Sequence, residues 1–174
     1  MERFDRAVHR PMRWVQPKML DLAYELRDGD APVATLAFRS SFGSFATFRT
    51  SDGAWTFKRI GFWQTSATVR AEGQSADLAR FQPNTWSAGG SLTLSDGRVL
   101  KITTNLWQSK IECLRGDDEI LFRYDTEGLV RQEASVTVGH LAGGMPELPW
   151  LIGFGWYLAV TLHQDSSAAV VIMS

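Results

Sequence analysis

Through most of this chain apolar residues alternate with polar ones in short stretches separated by turn residues. One stretch does not alternate. Residues 148–162, Leu-Pro-Trp-Leu-Ile-Gly-Phe-Gly-Trp-Tyr-Leu-Ala-Val-Thr-Leu, run without a charge. Pro146, Glu147 and Pro149 mark a helix entry, because proline is tolerated in a first turn and a carboxylate suits the positive end of the helix dipole. Leu151, Ile152, Phe154, Trp156, Leu158, Val160 and Leu162 go round every face, whereas a surface helix shows one apolar stripe, so this helix belongs in a core or a membrane. At about 1.5 Å per residue it covers about 22 Å, short of the roughly 30 Å hydrocarbon layer, and a buried helix is expected over a transmembrane anchor. Gly153, Gly155 and the β-formers Trp156, Tyr157 and Val160 would also suit a strand, which stays open as the alternative.

The preceding residues read as strands. Segments at 20–26, 32–40, 42–50, 55–60, 65–71, 76–82, 91–94, 99–104, 106–114, 120–124 and 129–138 carry the two-residue alternation, and 168–173 has the composition of a last strand. Asp28-Gly29, Asp52-Gly53, Glu72-Gly73, Asp96-Gly97, Gly116-Asp117 and Glu127-Gly128 fall between them, supplying the positive-φ residues that tight hairpins need. Regular short strands without intervening helices indicate antiparallel pairing in a barrel or sandwich. The expected fold is mainly β: a closed antiparallel barrel of about 12 strands around the hydrophobic helix 148–162.

An internal echo supports a repeated corner. Thr50-Ser51-Asp52-Gly53, followed by Phe62-Trp63-Gln64, matches Leu94-Ser95-Asp96-Gly97, followed by Leu106-Trp107-Gln108, at an offset of 44 residues. Trp63 and Trp107 are read as core anchors at equivalent corners, with paired ligand platforms as the functional alternative.

Composition narrows the function classes. At 174 residues and 44% hydrophobic, the chain fits one domain, read as a basic arm over 1–18 and a barrel over 19–174. Lys plus Arg (18) nearly balance Asp plus Glu (19), so no overall basic field attracts nucleic acid. A single cysteine, Cys113, rules out an internal disulfide, and no secretory leader pattern is seen at the N-terminus, which makes the cytoplasm the expected compartment. Seven Trp and ten Phe imply a core or a ligand surface built from large rings.

Charge is unevenly spread. Arg3, Arg6, Arg10, Arg13 and Lys18 against Glu2 and Asp5 give residues 1–18 a net +3, enough to lie on an anionic membrane surface. Pro11 and Pro17 argue against a continuous amphipathic helix there, and a solvated or strand-covering terminus is the plainer reading. Residues 112–133 carry a net −4 and could pair with the arm. Within them Asp117-Asp118-Glu119 lacks the glycine-punctuated spacing of a calcium loop and reads as a hairpin tip.

Many antiparallel strands followed by one wholly apolar helix and the polar break His163-Gln164-Asp165 resemble the tubby-like superfamily: the tubby C-terminal domain, the phospholipid scramblases and the LURP-one-related proteins. The resemblance covers residues 20–162 and rests on the order of elements and the Trp corners, and the small size is nearest the LURP-one-related type. It implies a closed barrel around a C-terminal helix and a lipid-surface or protein-binding module. None of the family's functional residues can be matched here, so none is carried over.

Tests for chemistry yield no catalytic set. His9, His140 and His163 stand apart from one another and from Cys113, and no nucleophile elbow, phosphate loop or zinc-protease motif is present. No cofactor or metal is implied. The expected function is therefore a non-enzymatic module meeting an anionic phospholipid surface or a protein partner, peripheral rather than transmembrane, through Arg3, Arg6, Arg10, Arg13 and Lys18 with the pair Lys58 and Arg59. The alternative is a carrier of a small hydrophobic ligand inside a hollow barrel. A helix filling the lumen is expected to leave that ligand no room. The oligomeric state is not legible.

Overall fold

The computed structural model describes residues 1, 3–18, 21–40, 43–61, 66–84, 89–105, 109–126 and 133–172, with side chains to 165. Among these residues twelve strands form one sheet. They are β1 (Met12–Val15), β2 (Ala23–Asp28), β3 (Ala31–Phe38), β4 (Ala46–Thr50), β5 (Ala54–Ile60) and β6 (Ser66–Ala71), then β7 (Ala79–Pro83), β8 (Gly89–Leu94), β9 (Val99–Thr104), β10 (Lys110–Arg115), β11 (Glu119–Thr126) and β12 (Ala134–Val138). A short helix, α1 (Phe4–Ala7), precedes them, and a long one, α2 (Leu148–Ile172), follows. Every strand pairs antiparallel with its neighbours in sequence, and β1 pairs with both β2 and β12, closing the barrel. The expected mainly-β class, a closed 12-stranded barrel around a C-terminal helix, is what the structure shows.

Alternation decides which residues face inward. Trp14 lies opposite Leu26, Leu36 opposite Phe48, Phe81 opposite Leu92 and Cys113 opposite Phe122, and all of these are buried. The helix meets this inner surface on every side, and from Trp150 to Leu158 all of its residues are buried. Gly153 lies against the Phe48 ring, and Gly155 lies against Phe122 and Tyr124. The helical alternative for 148–162 therefore holds over the strand.

Two segments differ from expectation. The basic segment 1–18 is built into the barrel: it supplies α1 and the closing strand β1, whose Trp14 is fully buried and stacks on Trp156 with ring centroids 5.5 Å apart. Without β1, the edges of β2 and β12 would expose unpaired backbone groups. Residues 168–173, expected as a last strand, instead continue α2 as far as Ile172. With β1 already closing the sheet, no open edge remains for another strand. The turns Asp52-Gly53 and Asp96-Gly97 do lead between corresponding strand pairs, β4 to β5 and β8 to β9. Trp63 and Trp107, which completed the repeat, lie outside the described residues.

The two barrel ends differ. At the end where α2 enters, α1 and residues 139–147 close the barrel: Phe4 N–H donates to Ser51 Oγ at 3.3 Å, Gly139 N–H donates to Leu121 O at 2.8 Å, and Arg98 pairs with Glu147. The C-terminal part of α2 emerges at the other end, where Arg59 from the end of β5 meets Asp165.

Burial also shapes the pH response. The Cys113 thiol and the Tyr24 hydroxyl are each pushed up to about 12 by burial, and burial raises Tyr124 and Tyr157 as well. In the unfolded chain a thiol ionises near ~8.5 and a phenol near ~10. Between those values and the folded ones the unfolded state binds fewer protons, so stability is full at neutral pH and falls as pH rises, by about 1.4 kcal/mol per group per pH unit. Denaturant midpoints should therefore drop above about pH 9, and Cys113 should react with a thiol reagent at pH 8 only as fast as the protein unfolds. Rapid labelling of the native protein would contradict this.

Candidate functional site

A cavity of about 230 Å³ lies between α2 and the wall formed by β5 to β10, near the end where α2 emerges. Its origin is an uneven distribution of ring volume. Trp14, Tyr24, Phe38 and Phe57, on strands β1, β2, β3 and β5, pack against Trp156, Phe154 and Tyr157 of the helix, and Phe48 on β4 lies against Gly153. The opposite wall contributes Ala67 from β6 and Gly89 from β8, which cannot fill the same space. Phe81, Ile102, Ile111 and Leu158 form the apolar body of the cavity, and exposed Pro83 and Leu162 mark its mouth.

Gly89 is required where it stands. Its φ is +116°, and a Cβ there would lie 2.1 Å from the Ile102 carbonyl oxygen. Any other residue would clash with backbone that cannot yield. Gly90 is similarly hemmed in, with its Cβ position 2.5 Å from the Phe81 ring. The Gly89-Gly90 pair thus brings β8 close to its neighbours at the cavity wall.

The polar groups around this space are few. Thr161 is buried, and its Oγ1 lies 3.0 and 3.1 Å from the carbonyl oxygens of Tyr157 and Leu158, so its hydroxyl bonds back to its own helix. Thr104 stands on the wall. Arg59 is the one charged lining residue among those described. Its guanidinium makes a two-pronged contact with Asp165, Nη1 to Oδ1 at 3.1 Å and Nη2 to Oδ2 at 2.8 Å. The backbone beneath it is fixed, since Arg59 N–H donates to Ser44 Oγ and Tyr157 Oη donates to the Ser44 carbonyl at 2.6 Å.

The seven cations expected to form a surface site are divided between the two ends. Arg3 and Arg6 sit on or beside α1; Arg10 and Arg13 follow toward β1, all near the α2-entry end. Lys18 lies in the β1–β2 connection and Arg59 near the mouth of the cavity, both at the opposite end, while Lys58 is exposed on β5. Arg3 pairs with Asp5, Arg10 with Asp28, Arg13 with Glu133 and Lys18 with Asp21. The contact of Arg13 with Glu133 is one point at which the basic N-terminus and the acidic segment 112–133 do meet. At the acidic hairpin tip, Asp117 pairs with Lys101 and Glu119 with Arg115.

Of these seven residues, Arg59 alone lines the cavity, and the other lining residues were not singled out from sequence. The Gly89-Gly90 pair was the available signal, as adjacent glycines in a strand mark a place where its backbone approaches its neighbours closely. Cys113 is fully buried with a raised thiol pKa, unlike an activated nucleophile. No group of three or more His, Cys, Asp or Glu is arranged to hold a metal among the described residues, nor is any described helix long and apolar enough to cross a membrane. Comparison with protein-family models, curated proteins and solved structures gave no match.

Proposed function

We propose that the protein is a non-enzymatic binder of a small apolar molecule, held between α2 and the β6–β10 wall rather than in a hollow lumen. The observation that carries this reading is the apolar cavity itself, about 230 Å³ with a mouth beside Leu162. A cavity of about 150 Å³ lined by aliphatic and aromatic side chains is enough for benzene, so this one accommodates a somewhat larger body. The central helix does fill the barrel on its aromatic side. On the side of Ala67 and Gly89 it leaves the space that a helix-filled lumen was expected to lack. The anionic-surface reading has weaker support, because its seven cations are split between the barrel ends and form no single patch.

The test uses 1-octanol as a neutral apolar probe, with binding measured by calorimetry. Saturable one-to-one binding is expected in the natural protein. Ala67→Leu, which extends a buried lining side chain into the cavity, should abolish it while leaving the melting temperature unchanged or raised, since filling a cavity commonly adds about 0.5–2 kcal/mol. Absence of binding in the natural protein, or undiminished binding in a folded Ala67→Leu variant, would remove the reading.

A further inference from the structure

The polar end of the cavity specifies what kind of apolar molecule it takes. Arg59 is a fork with parallel donors, a geometry that matches a carboxylate. Its Nη1 and Nη2 face the two oxygens of Asp165, a carboxylate on the C-terminal part of α2. The two partners are not held equally. The Arg59 side chain is 24% exposed and sits on a strand anchored through Ser44, whereas that of Asp165 is 54% exposed, beyond the wholly buried stretch 150–158. Ion pairs open to water contribute little, so Asp165 is a weak occupant of a well-fixed cationic fork.

Resting on the reading of the cavity as a ligand site, we infer that its ligand is a monocarboxylate with a medium-length alkyl or compact aryl body, and that Arg59 is the anchor for the carboxylate. Asp165 occupies the fork when no ligand is bound and yields it when one arrives. The body lies against Phe81, Ile102, Ile111 and Leu158, which offer only apolar surface, and the charge stays at the mouth where water reaches it. That arrangement avoids the cost of burying an ion inside the barrel. Exchange of one carboxylate for another on the same guanidinium leaves the charge balance at the fork unchanged. It also frees α2 from β5 at Asp165, so occupancy of the cavity is coupled to attachment of the helix at that point.

The experiment compares octanoate with 1-octanol at pH 7, two probes with similar bodies and different heads. Octanoate should bind the natural protein at least tenfold more tightly. Arg59→Gln should bring octanoate down to the level at which the same variant binds octanol, and that remaining octanol binding shows that the variant is folded. Asp165→Asn, which removes the competing charge, should tighten octanoate severalfold and leave octanol unchanged. If octanol binds and octanoate is no tighter, the carboxylate inference is wrong while the cavity reading survives; if neither binds, both fall. Should Arg59→Gln fail to fold, the octanoate-to-octanol ratio and the Asp165→Asn result still decide. An Asp165→Asn variant with unchanged octanoate affinity would overturn the exchange at Arg59.

Discussion

Trp156→Asp should yield no folded, soluble protein. The Trp156 ring is 2% exposed, stacks on Trp14 with 6° between the planes, and meets Tyr24 and Tyr124 edge-on at 6.0 and 5.9 Å. Removing such a ring typically costs about 3–5 kcal/mol, and an unpaired carboxylate in the same place adds several more. A domain has about 5–15 kcal/mol in total, so the sum removes most or all of it. The location sharpens the effect, because Trp14 belongs to β1, the strand that closes the sheet between β2 and β12. Losing its stacking partner weakens the barrel seam as well as the helix. Soluble yield and far-ultraviolet circular dichroism test this, with Trp156→Phe as the mild control. A Trp156→Asp variant with natural yield and melting temperature would mean that α2 is not the core of the fold.

The importance of this residue was legible in the sequence because the helical run is apolar on all faces, and a surrounding shell of strands was legible because the Asp-Gly turns divide the alternating segments. β1 was not, although the burial along Met12–Val15 does alternate. Arg13 and the flanking prolines hid a four-residue strand inside a charged segment, and only closure of the ring shows why Trp14 must face inward. The polar break at 163–165 misled in the opposite sense. It reads as a helix end in isolation, but Asp165 is a helical residue whose charge is met by Arg59, a partner 106 positions away. The cavity was least legible of all. Its existence depends on Ala67 and Gly89 lying across the helix from a cluster of rings, and the sequence does not show what stands opposite either of them. Arg59 was singled out for its charge and its place near a turn, and its role at the cavity mouth emerges only once β5 and the end of α2 are brought together.

Gly153→Leu is expected to destabilise the protein by upward of about 3 kcal/mol, even though leucine is the better helix former by roughly 0.8 kcal/mol. A Cβ on Gly153 would stand 2.6 Å from Cγ and 2.7 Å from both Cδ atoms of Phe48, well inside the roughly 3.5–4.0 Å of carbon contact. The ring cannot easily move aside, because Trp14, Trp55 and Phe57 have centroids 6.3, 5.9 and 6.0 Å from its own. Local propensity and packing therefore act with opposite signs at this position, and packing is the larger. A drop of about 6–12 °C in melting temperature is expected for a chain of this size. Phe48→Ala alone should also cost about 3–5 kcal/mol, by opening a cavity. In the double variant the leucine enters the space that the ring vacates, so the combined loss should fall short of the sum by about 1–3 kcal/mol. Strictly additive losses would show that α2 does not approach β4 at Gly153. A shortfall of that size would place the helix against the aromatic wall, the packing that leaves the opposite side, at Ala67 and Gly89, unfilled.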